Sequence, residues 1–311
     1  MNALTRHLEQ YLELRHRLGF KLDKASRQLR QFVRFAQETK APYITTALAI
    51  RWATQSTSCQ PVTCGARLSM VRQFARYLRA VDPHHEIPPE GLLPGRCHQK
   101  TPYLYRDEQV VQLLQAAQHM PSPKGLRAAT YTTLFGLLAV TGMRLGEAIA
   151  LDQDDVDLDQ GLLEVRQAKF HKSRWVPLHP TSPKALRQYG RLRDRLCPHP
   201  KSPSFLLSEQ GTRLTGDRVR YWFIRLSHRI GLRQPTDHHG PRIHDLRHRF
   251  VISTLRQWYQ TGQDVEAHLP ELATYIGHGH VQDTYWYISA TPELLQLATE
   301  RLEAKKGGTS S

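Results

Sequence analysis

The run Ala128–Thr141, AATYTTLFGLLAVT, followed by Gly142-Met-Arg-Leu-Gly-Glu147, is apolar on nearly every side and then stops at a glycine. A helix that is apolar all round belongs in the middle of a domain, and a glycine just past the last turn ends it in a left-handed cap. The stretch predicts a buried central helix with Arg144 projecting from the rigid corner where the next helix begins. Its planar guanidinium suits two oxygens of one phosphate, and Glu147, three residues on, lies on the same face to hold it. Alone, the pair also reads as an ordinary surface Arg/Glu contact.

Downstream, Leu162–Arg166, the basic turn Gln167–Ser173 and Arg174–Leu178 alternate and reverse as a β-hairpin does, with Phe205–Leu207 as a third strand. Upstream, a helix starts near Asp107 and carries Val110, Leu113, Leu114 and Ala117. Ser182-Pro183, Thr215 and Pro241 mark further helix starts by capping or first-turn proline chemistry. In the first 80 residues apolar positions recur at helical spacing. Two helices break near Gly19, a third over Ala47–Thr54 is capped by Thr45 or Thr46, and a fourth covers Ala66–Ala80 with a basic face. Pro83, Pro88, Pro89, Pro94 and Pro102, with Gly91 and Gly95, read as a linker. The expected organisation is a helical domain over 1–82, a linker over 83–102, a mostly helical domain with a small sheet over 103–304 and a tail over 305–311. The fold class is mainly α, with an α+β second domain.

The 311 residues carry 43 Lys and Arg against 28 Asp and Glu, a net charge of +15. This excess runs along the whole chain, which points to a polyanion met over a long track, most simply nucleic acid. No stretch approaches the ~18–20 apolar residues of a bilayer span, and the start MNALTRHLEQ is charged where a signal peptide is apolar. Four cysteines, Cys59, Cys64, Cys97 and Cys197, are too few for a disulfide framework. A cytoplasmic protein with free thiols and no membrane partner is expected.

Three further constellations bear on chemistry. In His244-Asp-Leu-Arg-His-Arg249, His244 and Arg247 stand one helical turn apart and reach a common point, which suits a phosphate. The His244/His248 spacing also invites a zinc reading, but the glutamate of the HExxH motif is replaced by Asp245 and no cysteine pair is near, so no metal is expected. Tyr275-Ile-Gly-His-Gly-His-Val-Gln-Asp-Thr-Tyr-Trp-Tyr287 supplies His278, His280 and three tyrosines. Such residues are usually core, yet a tyrosine with cationic neighbours and a base is also a nucleophile. Lys169-Phe-His-Lys-Ser-Arg174 places lysines at the hairpin tip, either as a solvated turn or as a proton donor to a leaving alkoxide.

The joint order of Arg with Glu, a hairpin Lys, His-x-x-Arg, His, and a Tyr nine positions later resembles the tyrosine recombinases, or phage integrase family, of the Cre, lambda integrase and Xer types. By motif the likeness spans about Thr101 to Leu302. It implies catalytic roles for Arg144, Lys169, His244, Arg247, His278 and Tyr287, with Glu147 in support. Lys172 competes with Lys169, and Tyr285 has the right chemistry but the wrong spacing. The resemblance implies a SAM-like N-terminal core-binding domain and a catalytic domain with a three-stranded antiparallel sheet. It further implies a C-shaped clamp on double-stranded DNA, attack by Tyr287 to give a 3′-phosphotyrosine, Lys169 protonating the 5′ oxygen, and His244 assisting proton transfer at the tyrosine. No cofactor is implied.

Arg72, Arg76 and Arg79, with Arg218 and Arg220, are candidate DNA contacts, as is Lys172. Glu293–Leu302 is a candidate docking helix for a neighbouring protomer in a tetramer. The activity implied is integration, excision or resolution of a mobile element in the nucleoid. A type IB topoisomerase-like relaxing enzyme and a non-catalytic DNA-binding module of the same fold are the alternatives.

Overall fold

The computed structural model describes residues 3–20, 22–56, 59–95, 101–166, 173–237 and 240–307. They divide into two units, Met1–Lys100 and Thr101–Ser311.

The first unit is helical: α1 (Ala3–Arg17), α2 (Asp23–Glu38), α3 (Thr46–Ala53) and α4 (Pro61–Arg79). The break between α1 and α2 falls at Gly19, whose φ of 85° is left-handed. Thr45 caps α3 by accepting the Leu48 N–H at 3.1 Å. Helix α4 begins five residues before the expected Ala66, because Pro61 sits in its first turn where a missing N–H costs nothing. Phe32, Trp52, Leu68 and Phe74 are buried at the centre of this bundle. Part of the segment read as a linker packs here: Arg72 donates from Nε and Nη2 to the carbonyls of Pro88 and Pro89 at 2.6 and 2.7 Å.

The second unit is built on α6 (Leu126–Thr141), flanked by α5 (Asp107–Gln118) and α8 (Ser182–Leu196). Its interior holds Leu134, Phe135 and Leu138, and Tyr189 of α8 hydrogen-bonds Thr130 across 3.0 Å. Gly142 caps α6 with φ 61°. A Cβ there would lie 2.5 Å from the Phe250 ring, so both backbone and space require glycine.

The sheet is β1 (Val156–Asp157), β2 (Leu162–Val165) and β3 (Arg174–Pro177), antiparallel in that order. The hairpin register pairs Leu162 with Pro177 and Val165 with Arg174, and Leu163, Val165 and Val176 are buried against the core. The third strand is Val156–Asp157 rather than Phe205–Leu207. The latter segment has only isolated bridges, Asp152 with Ser204 and Leu207 with Arg213, because its backbone is taken by a turn and by Tyr189, whose hydroxyl accepts the Leu207 N–H at 3.1 Å.

The remaining helices are α7 (Leu145–Ala150), α9 (Gly216–Arg229), α10 (His244–Gln260), α11 (Val265–Ile276), α12 (Gln282–Ala290) and α13 (Pro292–Gly307). Thr215 caps α9 as expected. Helix α10 starts at His244, three residues beyond Pro241, because Asp245 accepts the Arg242 N–H at 2.7 Å and closes a turn before the helix proper. Val251, Leu255, Leu269, Leu272, Ile276, Tyr287 and Leu294 form a second hydrophobic cluster shared by α10 to α13. Leu294, in the expected docking helix, is 1% exposed within its own unit.

Among the described residues Cys59, Cys64 and Cys197 are free thiols, and no helix is long and apolar enough to cross a membrane.

Candidate active site

The corner after α6 works as the sequence implies, with an added partner. Glu147 reaches back to the Arg144 N–H at 3.0 Å, the capping-box bond of α7, and accepts Arg144 Nη1 at 2.8 Å. Arg174, the first residue of β3, donates Nη1 and Nη2 to the two oxygens of the same carboxylate at 3.1 and 2.8 Å. Four N–H groups thus fill the acceptor capacity of one carboxylate. Burial pushes Glu147 toward protonation, but the bonds and charge of Arg174, then those of Arg144, overcome it and bring the carboxyl down to about 2.

The free edge of each arginine engages the turn after α11. Arg174 Nε donates to the Tyr275 carbonyl at 2.8 Å, and Arg144 Nη2 donates to the Gly277 carbonyl at 2.8 Å. Gly277 caps α11 with φ 73°, and a Cβ on it would stand 2.7 Å from Arg174 Nη1. The next residue, His278, is set by this cap and by a 2.8 Å bond between its Nδ1 and the Thr284 hydroxyl. Burial, then the charges of Arg247 and Arg144, hold His278 at about 4, so it is neutral.

Arg247 is 2% exposed. Its Nη1 donates to the Gly142 carbonyl at 2.8 Å, which ties α10 to the end of α6. Its Nη2 is buried and has no partner in hydrogen-bonding geometry among the described residues. Burial and the neighbouring Arg144 lower its pKa to about 10, which still leaves it charged at neutral pH. His244 stands one turn before it at the exposed start of α10.

Tyr287 closes the group. It is 3% exposed, its ring stacks over His278 with centroids 6.2 Å apart, and Trp286 packs edge-on at 5.0 Å. Burial raises its pKa, and the charge and close side-chain approach of Arg247, then the charge of Arg144, act the other way. Its hydroxyl lies 3.0 Å from His248 Nδ1.

Arg144, Glu147, His244, Arg247, His278 and Tyr287 therefore converge on one place from α7, α10, α11's cap and α12. Lys169 and Lys172 lie outside the described residues. Of the candidate DNA contacts, Arg76, Arg79, Arg218 and Arg220 are exposed, whereas Arg72 is not on that face, since its guanidinium is spent on Pro88 and Pro89. Sequence reasoning gave Arg174 only as part of a strand pattern and His248 only as a weighed zinc ligand. Their signals, an arginine opening a buried strand and a histidine one turn after His244, were present but pointed to no partner. Among the described residues no three His, Cys, Asp or Glu side chains come together as a metal site.

The chain is 45% identical over 309 residues, 98% of both chains, to a putative integrase/recombinase, y4rB, of Sinorhizobium fredii. It is 29% identical to the tyrosine recombinase XerC of Herpetosiphon aurantiacus over 72% of this chain and 68% of that one. In fold it is similar to the Tn1549 transposon integrase in complex with transposon right end DNA, with a TM-score of 0.65 and 15% identity over 97% of this chain and 100% of the other. The model of the phage integrase family matches residues 104–293, the span that holds every converging residue above, and the chain belongs to that family.

Proposed function

We propose that this chain is a site-specific DNA recombinase that breaks and rejoins strands through a 3′-phosphotyrosine. The observation that carries the reading is the Arg247 guanidinium, 2% exposed and close against the Tyr287 hydroxyl, whose Nη2 has no partner in hydrogen-bonding geometry among the described residues. A buried guanidinium N–H left unbonded is costly, and a non-bridging oxygen of a phosphodiester at that point satisfies it.

The charge on those oxygens grows as the pentacoordinate phosphorus forms. Arg144 and Arg247, held in fixed positions, meet it, with hydrogen bonds from His244 and His278, so stabilisation needs no metal ion and no cofactor. Tyr287 attacks phosphorus, the P–O5′ bond breaks, and the departing 5′ oxygen takes a proton from the hairpin lysine, Lys169 or Lys172. The 5′ hydroxyl of another strand then reverses the step. The exposed Arg76, Arg79, Arg218 and Arg220 are read as backbone phosphate contacts. The working assembly is a tetramer on two duplexes in the cytoplasm, acting on the nucleoid or on a mobile element.

Nicked suicide duplexes tiled across the DNA flanking the gene test this reading. An SDS-resistant protein–DNA adduct that is lost in Tyr287→Phe is the expected result. Intact binding without any adduct would instead make the chain a non-catalytic module, and relaxation of supercoiled plasmid without site preference would favour the topoisomerase-like alternative.

A further inference from the structure

The Tyr287 hydroxyl must lose its proton to attack phosphorus, and burial makes that harder by raising its pKa above that of a free phenol. At neutral pH the phenol is protonated, so a base in direct contact is required. Arg144 and Arg247 offer only donors, His278 has its Nδ1 committed to Thr284 and lies ring-on-ring with Tyr287, and among the described residues no hydrogen bond joins the Tyr287 oxygen to His244, to which the resemblance gives this role. His248 Nδ1 lies 3.0 Å from the Tyr287 oxygen. We propose that His248 is the catalytic base that takes the Tyr287 proton, a role that rests on the recombinase reading above.

The surroundings of the ring fit this role. From α10 itself, Asp245 Oδ1 lies 4.0 Å from His248 Nε2, and Asp245 is buried. A carboxylate on that side favours the tautomer with the proton on Nε2, which leaves Nδ1 free to accept. The His244 ring meets His248 edge-on at 4.7 Å between centroids, and from α12 Trp286 does so at 5.7 Å. These rings fix the imidazole plane. The titratable groups around it are Asp245, Arg242, Arg247 and His244; burial first, then His244, Arg242 and Arg247, act against a proton that Asp245 alone favours. The imidazole is held at about 4 and is neutral before the reaction, so the geometry of its Nδ1 rather than its basicity marks it as the acceptor.

The step balances without any other reactant. The Tyr287 O–H proton passes to His248 Nδ1 as the Tyr287 oxygen bonds to phosphorus. The P–O5′ electron pair leaves with the 5′ oxygen, which is protonated by the hairpin lysine. In the reverse step the tyrosine oxygen leaves as the same imidazolium returns its proton. Asp245 stabilises the positive ring that exists in between.

The test measures single-turnover adduct formation on the duplex that wild-type protein cleaves, beside gel-shift binding to the same duplex. His248→Gln is expected to slow cleavage roughly 100-fold with binding unchanged. Replacing Tyr287 by 3,5-difluorotyrosine, a more acidic phenol, is expected to restore about tenfold in His248→Gln while changing the wild type by less than about threefold. A merely structural defect gains nothing from the acidic phenol. Equal response to fluorination in both backgrounds, or a His248→Gln rate within about threefold of wild type, overturns the proposal.

A DNA-free measurement separates this from failure of the recombinase reading. In ¹⁵N-histidine spectra His248 should show an unprotonated Nδ1 whose shift moves in Tyr287→Phe, and a protonated Nδ1 overturns the assignment even if no duplex is ever cleaved.

Discussion

Arg174 grips both oxygens of Glu147, at 3.1 and 2.8 Å, although the two residues are 27 positions apart and only Glu147 also holds Arg144. The strand that opens with Arg174 therefore fixes the arginine at the end of α6 through a carboxylate between them. Both side chains of the Arg174–Glu147 pair are 9% exposed. Removing Arg174 strips Glu147 of two of its four buried hydrogen bonds and leaves Arg144 as its one ion-pair partner among the described residues, so Arg174→Ala is expected to cost on the order of 2–4 kcal/mol in chemical denaturation. Arg174→Lys keeps the charge but not the fork and is expected to lose about half of that. In both, adduct formation should fall more than DNA binding does.

Glu147 gives a pH signature. Its folded pKa, about 2, lies below the ordinary glutamate value, so its contribution to stability is complete above about pH 4.5 and disappears as pH falls toward 2. A shift of this size corresponds to roughly 3 kcal/mol. Urea midpoints measured from pH 6 down to pH 3 should fall in the wild type, and Glu147→Gln, already destabilised at pH 6, should show a shallower slope.

Two glycines near the site should respond oppositely to alanine. Gly142→Ala forces a side chain into φ 61° and against Phe250, and a loss of about 1–3 kcal/mol is expected in thermal melts, with Arg247 displaced from the Gly142 carbonyl. Gly146, inside α7, has nothing within 4 Å of its would-be Cβ. Gly146→Ala should be neutral or stabilising by up to about 1 kcal/mol.

The two tyrosines of α12 differ in environment. Tyr285 is 47% exposed and Tyr287 is 3% exposed beside Arg247. Tyr285→Phe should retain adduct formation within about twofold of wild type, since substitutions of exposed side chains away from the site change little. An adduct mapped by peptide mass spectrometry to Tyr285 would overturn the assignment of the nucleophile.

On the proposed mechanism guanidinium groups supply the charge that meets the phosphorane, so a chelator such as EDTA should leave cleavage unchanged. Strong inhibition, reversed by added zinc, would return weight to the His244/His248 metal reading.

Much of this was legible in the sequence for local reasons. The end of α6 is encoded by one glycine, the hairpin by its alternation, and the convergence of His244 with Arg247 by a single helical turn. What was not legible depends on pairings across the fold. Arg174 meets Glu147 only because β3 packs beside the corner after α6 and the cap of α11. His248 acquires its partner only when α12 brings Tyr287 against α10. Arg72 shares the helical face pattern of Arg76 and Arg79, and nothing in that pattern shows that two proline carbonyls will claim it. The third strand was misplaced because a two-residue strand leaves almost no periodic signal, whereas the apolar run Phe205–Leu207 leaves one without forming a strand.

The hydrophobic cluster shared by α10 to α13 is distinct from the one around α6, and the proposed phosphate-holding and nucleophilic residues are divided between them: Met143 and Leu145 on either side of Arg144 sit in the larger core, Tyr287 in the smaller. Helix α10 is the common beam, with Leu246 seated in one core and Val251 and Leu255 in the other. An enzyme arranged this way can be disarmed by loosening only its satellite core, with no loss of the phosphate-holding scaffold. Amide exchange should register that as a separate, lower-energy opening of α11, α12 and α13, a chemical safety catch on a strand-breaking protein.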